Sequence, residues 1–100
     1  MIEGSVEKQP AETFLVGVDF AGHLATGETI IGQTVTARNE GTGEDTSATI
    51  LTGSPVLAGA ILSHRVAAGT DGHRHIVQFR VNTSQANTYE AEIRVMVRER

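Results

Sequence analysis

Residues 75–98, HIVQFRVNTSQANTYEAEIRVMVR, alternate apolar and polar side chains on both sides of a polar break at SQAN. Alternation with a period of two is typical of strands that bury one face. It predicts two strands, over residues 75–83 and 88–98, joined as a hairpin by the loop between them. The side chains that share the buried face are Val77, Phe79 and Val81 in the first strand and Tyr89, Ala91, Ile93, Val95 and Val97 in the second.

The short loop also decides which residues of the two strands stand opposite each other. Closing the chain through SQA places Tyr89 opposite Val81 on the buried face. On the solvent face Arg80 is then opposite Glu90, or opposite Glu92 if the register shifts by two residues. Either pair of opposite charges contributes about 0.2–1 kcal/mol to the sheet.

Outward from the hairpin, short alternating or β-branched runs continue along the chain, and helical periodicity is never sustained. Four further segments are predicted as strands: residues 13–20, 29–39, 46–51 and 60–67. Segments rich in Gly, Asp, Ser and Pro are predicted as turns between them: residues 40–45, 52–55 and 68–72. Residues 21–28 break the alternation with two glycines and allow a short helical turn.

The number and spacing of these strands indicate the fold class. In residues 29–39 the alternation places Ile31, Val35 and Ala37 on the buried face. Six or seven short strands with turn signals between them are typical of two packed antiparallel sheets. The sequence therefore predicts an all-β protein, an immunoglobulin-like β-sandwich of six to seven mostly antiparallel strands.

The length of 100 residues fits one domain with one hydrophobic core. The first 11 residues are mostly polar and contain Gln9 and Pro10. We predict a flexible N-terminal arm or edge strand over residues 1–11, and a single immunoglobulin-like domain over residues 12–100.

Composition argues against several classes of partner. The net charge is −4 and the sole lysine is Lys8, so no basic cluster offers a surface for nucleic acid. No apolar run approaches the roughly 18 residues of a membrane span, and the charged start MIEGSVEKQP lacks the apolar segment of a signal peptide. The absence of cysteine excludes disulfides and thiolate metal sites. We expect a soluble chain made in the cytoplasm, with no nucleic-acid or membrane partner.

One segment holds the candidates for chemistry. Asp71, His73 and His75 lie within AGTDGHRHIVQF, and His64 lies just upstream. A zinc or nickel site needs three or four such side chains to converge on one point, and His73 and His75 point to the same side of a strand. However, Asp71 lies in a glycine-flanked turn, where its carboxylate normally accepts from its own backbone. His64 and His75 are in phase with the buried residues of strands that usually lie in opposite sheets. We therefore predict no metal site and no cofactor.

Catalytic patterns are equally weak. Ser63 and His64 are adjacent on a strand, so their side chains face opposite ways and cannot form a nucleophile–base pair. Glu44 and Asp45 lie in a glycine-rich turn as solvated charges. The turn GTGEDT lacks the third glycine and the following helix of a dinucleotide-binding loop. We predict that the protein is not an enzyme.

Five short motifs occur in a recognisable order: GETI at residues 27–30, LTGSP at 51–55, AGTDG at 68–72, RVNTS at 80–84 and IRVMVRER at 93–100. Together they resemble the small immunoglobulin-like proteins encoded among the structural genes of tailed phages and prophages. In that pattern an aromatic residue, often Tyr, stands where this chain has His75, and an aliphatic residue is usual at His64. The resemblance therefore implies that these two histidines are packing residues.

The resemblance also implies a function. It indicates a non-enzymatic virion structural or accessory protein, as a head decoration, head–tail joining or tail component, that acts through protein–protein contacts. The implied partners are other virion structural proteins or copies of the chain itself, and the implied final location is the virion. Residues 1–11 are then a docking strand. The alternative from a different class is an immunoglobulin-like ligand-binding module, for carbohydrate or metal, with its site at one loop end.

Overall fold

The computed structural model describes residues 2–99 and shows an all-β architecture, which confirms the predicted fold class. Two short helical segments, a 3-10 turn at Ala21–His23 and a single-turn helix α1 at Ser47–Ile50, interrupt the strands. Neither helix in the described chain is long and apolar enough to cross a membrane. The strands, in chain order, are β1 (Ile2–Lys8), β2 (Phe14–Asp19), β3 (Ile30–Asn39), β4 (Leu51–Ala58), β5 (Ile61–Val66), β6 (Arg74–Thr83) and β7 (Thr88–Val97).

The strands form two sheets that pack against each other. One sheet has the order β1-β7-β6-β3 and the other the order β2-β5-β4. All neighbouring strands are antiparallel except β1 and β7, which are parallel. The β6–β7 hairpin has the predicted register, with Val81 opposite Tyr89 and Arg80 opposite Glu90. The arrangement is sandwich-like, and the immunoglobulin-like topology stays a prediction.

The core lies between the two sheets and contains the side chains that alternation placed inward. Phe79, Val81 and Val95 of the hairpin are fully buried, and Tyr89 packs against the core from its edge. The opposite sheet contributes Leu62 and Val66, which are also fully buried. Burying one Phe or Leu side chain contributes about 1.5–3 kcal/mol, so this shared layer is what holds both sheets in place.

At the N-terminal end, residues 2–8 form edge strand β1, and the last residue of this strand is fully buried. The Nζ atom of Lys8 donates to the carbonyl oxygens of Gln9 (2.7 Å), Pro10 (3.1 Å) and Ala68 (2.6 Å). Burial lowers the pKa of Lys8. The lysine thus fastens the end of β1 to the turn before β6. The division into residues 1–11 and 12–100 stays a prediction.

The strand predicted over residues 46–51 is wrong, because residues 47–50 form α1. Side-chain hydrogen bonds, one local and two to β3, explain the helical turn. The Asp45 carboxylate accepts from the Ser47 backbone N–H (2.9 Å), and the Ser47 hydroxyl binds both backbone groups of Ala37. Such side-chain bonds compete with strand pairing. The turn also delivers Ile50 into the core, where it is fully buried.

The turn predicted over residues 52–55 is also wrong, because β4 continues through it from Leu51 to Ala58. The pairing of β4 with β5 shifts register between Thr52 and Val56, which marks a bulge. Gly53 has a φ of +79° there, a conformation that favours glycine. The glycine and proline therefore bend the strand without ending it.

The inward placement of Ile31 is the third error. The β3–β6 pairing shifts register between Ile30 and Gly32, so the alternation changes phase at this point. Ile30 packs against the core, and Ile31 is 70% exposed. Further along the same strand Val35 packs against the core and Ala37 is buried, as predicted.

Candidate interaction surface

The predicted histidine candidates do not converge. His64 lies on β5 in the three-stranded sheet and His75 on β6 in the four-stranded sheet, and both are buried. The His64 ring donates from Nδ1 to the carbonyl oxygen of Arg65 (3.0 Å). Nδ1 of His75 shares a hydrogen bond with the Thr46 hydroxyl (3.0 Å). The two rings therefore lie in opposite sheets and have different hydrogen-bond partners.

His73 and Asp71 lie in the turn before β6. The rings of His73 and His75 are neighbours, with centroids 6.4 Å apart. The Asp71 carboxylate instead accepts from the backbone N–H of Glu99 (2.9 Å), which ties the turn to the end of the chain. Between residues 2 and 99, no group of three or more His, Cys, Asp or Glu side chains is placed to hold one metal ion.

A small polar cavity of about 190 Å³ adjoins His75. Thr46, Thr49, Thr70 and His73 contribute to its lining. Nε2 of His75 is buried and has no hydrogen-bond partner. Burial, and to a smaller extent the neighbouring His73, lower the pKa of His75. The ring therefore favours the neutral form, in which an unpartnered Nε2 costs least.

At the opposite loop end, a buried carboxylate that sequence reasoning missed joins two loops. Glu28 accepts from the Thr83 hydroxyl (2.5 Å), the Asn87 amide (2.8 Å) and the backbone N–H of Ala25 (2.9 Å). These hydrogen bonds lower the pKa of Glu28, and the bond from Thr83 has the largest effect. Thr83 and Asn87 are more than 50 residues away from Glu28 in the chain. The sequence around Glu28 therefore carries no signal for this contact. Both oxygens of the Glu28 carboxylate therefore accept hydrogen bonds that hold the loops in place.

The outer surface of the four-stranded sheet, here called the charged face, consists largely of paired charges. Glu40 receives two hydrogen bonds from Arg94, at 2.8 and 2.7 Å, and this contact is the main cause of its lowered pKa. The charge pairs of this face are Arg38–Glu92 (3.2 Å), Arg80–Glu90 (2.7 Å), Arg94–Glu40 (2.7 Å), Arg74–Glu40 (4.0 Å) and Arg98–Glu7 (3.8 Å). These charges satisfy one another within the chain.

The outer surface of the three-stranded sheet is different. Leu15 on β2, Val56 on β4 and Ile61 on β5 are 48%, 51% and 45% exposed. Single exposed apolar residues are ordinary, but three large ones on the outer surface of one small sheet make that surface a candidate for contact with another protein. We call this surface the apolar face, and its members are the outward residues of the three strands: Leu15, Gly17, Asp19, Thr52, Val56, Ala58, Ile61, Ser63 and Arg65.

The centre of the apolar face is kept flat by a glycine. Gly17 pairs with Ser63 across β2 and β5. A Cβ atom at Gly17 would collide with the Ser63 hydroxyl oxygen, so a larger residue would push the serine side chain away. The middle row is therefore low at Gly17 and Ser63, and Val56 projects at its β4 end.

The sequence did contain a signal for this face. Leu15 and Ile61 occupy the outward phase of their strands, opposite in phase to Val16 and Leu62. Alternation analysis follows the inward residues and treats the other phase as solvated. Apolar residues in the outward phase of two neighbouring strands were therefore visible, and only the pairing of β2 with β5 shows that they share one face, near its opposite ends.

A known protein family matches most of this chain. Residues 8–96 match the family described as podophage GP4 fiber-tail adaptor protein gp77. The matched region contains four of the five motifs that carry the phage resemblance and the start of the fifth, and it confirms the predicted relation to phage structural proteins. No curated protein matches the chain. Because the match covers most of its length, the chain belongs to the podophage GP4 fiber-tail adaptor protein gp77 family of phage tail structural proteins.

Proposed function

We propose that this protein is a non-enzymatic component of a phage tail that helps to join fibre to tail through protein–protein contacts. The observation that carries the proposal is the family match over residues 8–96. Of the three virion positions that the sequence suggested, the family description favours the tail over head decoration and head–tail joining. The partners are then other proteins of the same virion, and the virion is the final location.

The surface chemistry supports a role in assembly. The apolar face exposes three large aliphatic side chains, and no strand or helix within residues 2–99 covers them. Removing such surface from water contributes roughly 25 cal/mol per Å², which favours contact with another protein. The charged face has its charges paired within the chain and requires no partner.

Three of the four buried titratable groups in the described part of the chain, all except His75, support a structural role in the same way. Lys8 binds three backbone carbonyls, Glu28 holds two loops together, and His64 bonds a neighbouring carbonyl. General acid–base catalysis needs a group that is free to exchange a proton with a substrate. These three groups instead hold the chain to itself.

The test is removal of the gene from a phage that carries it. We expect particles with tails that lack fibres, with wild-type chain supplied in trans restoring them, as seen by electron microscopy. Mass spectrometry of purified wild-type virions should find the chain in a fixed ratio to the other tail proteins. Tails that carry fibres at normal occupancy without the chain would contradict the proposal, as would its absence from purified virions.

A further inference from the structure

We propose that the apolar face binds the same face of a second copy of this chain, with the strands of the two copies antiparallel across a two-fold axis. This goes beyond the proposed joining of fibre and tail, because it names a contact between copies. The occupant follows from how charge is distributed around the face.

The apolar face is a grid of three rows across β2, β5 and β4. The first row contains Leu15, Arg65 and Thr52, and the middle row Gly17, Ser63 and Val56. The last row is Asp19, Ile61 and Ala58. Rows on one face are two residues apart, so the end rows are roughly 13 Å apart.

The face has one basic and one acidic residue, at opposite ends. Arg65 is exposed and makes no ion pair within residues 2–99. Only one carboxylate oxygen of Asp19, Oδ1, binds a backbone N–H, that of Ala21 (2.9 Å). The face therefore has an unpaired cation at one end and a carboxylate oxygen at the other end.

Two-fold symmetry turns this distribution into complementarity. If the axis lies in the interface and crosses the strands at right angles, the first row of one copy lies over the last row of the other. Arg65 then covers Ile61 of the second copy with its aliphatic stem. Asp19 of that copy is one strand away, about 4.8 Å, within reach of the guanidinium. The same pair forms twice.

The other simple arrangement is disfavoured. An axis parallel to the strands keeps each row over itself and places Arg65 directly over Arg65 of the second copy. Like charges at an interface oppose association and exclude that orientation. The middle row lies over the middle row in both arrangements, and its Gly17 and Ser63 have small side chains that leave room for the second copy to approach.

The size of the face sets the expected strength. Three strands about 4.8 Å apart and five residues long cover only a few hundred Å², below the roughly 800 Å² per partner of stable complexes. We therefore expect dissociation constants in the micromolar to millimolar range for isolated chains. Copies held side by side in a tail would pair at a much higher effective concentration.

The experiment is charge reversal followed by mixing. Sedimentation equilibrium of the full chain from about 10 μM to 1 mM should show a monomer–dimer equilibrium. Arg65→Asp and Asp19→Arg should each weaken self-association at least tenfold, because each places like charges together. An equimolar mixture of the two variants should associate, since both interfacial pairs are then opposite in charge.

Two controls make the result decisive. Arg80→Asp alters the charged face and should leave self-association unchanged. The mixing step guards against misfolding, because an unfolded variant cannot restore association. Monomers throughout the concentration range would overturn the pairing. Single variants that dimerise like the wild type would overturn it too, and so would a mixture of folded variants that stays monomeric.

The isolated chain is enough for this test, so its outcome is separate from that of the gene deletion. If the wild-type chain stays monomeric and the deletion particles lack fibres, only the face-to-face pairing is overturned. A dimer that follows the charge rules, together with normal fibres in the deletion particles, would overturn the adaptor role alone.

Discussion

The charged face and the apolar face are made by the same alternation of side chains, and they differ in what lies in the outward phase. On the four-stranded sheet the outward residues include Arg80, Glu90 and Glu92, which take part in ion pairs. On the three-stranded sheet they include Leu15 and Ile61, which are about half exposed. If the three-stranded sheet only had to cover the core, its outward positions could have carried charged residues as well.

The difference indicates that the outer surfaces of the two sheets have different roles. Exposed ion pairs add little stability, about 0–1 kcal/mol each, but they keep an outward surface soluble and poorly suited to other proteins. Exposed aliphatic side chains add nothing to the isolated fold and favour burial by a partner. The contrast is expected of a chain that works in an assembly with one side turned to a neighbour.

The largest expected effect concerns the core on which both faces depend. Phe79 is fully buried between the sheets, so Phe79→Ala removes a large side chain and leaves a cavity. We expect a loss of roughly 3–5 kcal/mol in the free energy of unfolding, measured by urea denaturation. The matched control is Thr36→Ala on the solvent side of β3, which should change little. A melting temperature of Phe79→Ala within a degree or two of wild type would show that the inward phase is misassigned.

The next effect concerns His75, which is buried on the inner side of the four-stranded sheet. Its pKa is lowered in the folded chain, chiefly by burial, so below its ordinary value of 6.5 the unfolded chain binds the proton more readily. Stability is therefore fully present above about pH 6.5 and is lost as the pH falls towards the folded pKa. We expect the melting temperature to drop between pH 7 and pH 5. His75→Gln should flatten this part of the profile, and an unchanged slope in that variant would contradict the assignment.

More acidic conditions should act on the charged face and leave the apolar face untouched. The pKa of Glu40 is lowered mainly by its hydrogen bonds with Arg94. Its contribution to stability is therefore present above the ordinary value of 4.5 and lost as the pH falls through the folded pKa. Glu40→Gln should reduce the acid sensitivity below pH 4.5 and also the sensitivity to salt. Leu15→Thr should alter neither, and a comparable change in that variant would remove the contrast between the faces.

Single surface substitutions should give small effects on both faces, for different reasons. Arg80→Ala breaks the pair with Glu90 and should lower the free energy of unfolding by about 0.2–1 kcal/mol. Leu15→Thr should stay within about 0.5 kcal/mol of wild type, because Leu15 faces away from the core. Chemical denaturation of both variants at low protein concentration measures the two values. A loss of several kcal/mol for Leu15→Thr would mean that the apolar face is already covered within the chain.

The smallest expected effect is that of zinc. A bound metal at 100 times its dissociation constant would add about 2.7 kcal/mol to stability. We expect zinc at tens of micromolar, or EDTA, to leave the melting curve of the wild-type chain unchanged. A shift of several degrees that disappears in the His73→Ala, His75→Ala double variant would instead support the ligand-binding alternative at that loop end.

The fold could be predicted where its determinants are local. The β6–β7 hairpin followed from alternation and loop length, down to the pairing of Arg80 with Glu90. The helical turn at α1 could not, because the hydroxyl of Ser47 is held by Ala37 on another strand. The change of phase at Ile31 likewise depends on a bulge in the pairing with β6. Errors occurred where contacts between distant residues override a local pattern.

The same limit applied to the candidate site: local patterns could be predicted, and contacts between distant residues could not. Alternation correctly assigned His64 and His75 to buried positions in opposite sheets. It did not reveal the apolar face, because the strand order β2-β5-β4 is what places Leu15, Ile61 and Val56 on one surface. Strand order depends on which edges meet, and a single sequence carries little information on that.

The burial of Lys8 has a practical consequence for work on assembled particles. It is the sole lysine of the chain, and its ammonium group is enclosed by three carbonyl oxygens. Amine-directed cross-linkers and fluorescent esters react with accessible, unprotonated lysines, so this side chain should remain unlabelled in the folded state. Proximity maps of a tail based on lysine chemistry would therefore underreport the neighbours of this protein. Reagents directed at its 12 carboxylates would detect those neighbours.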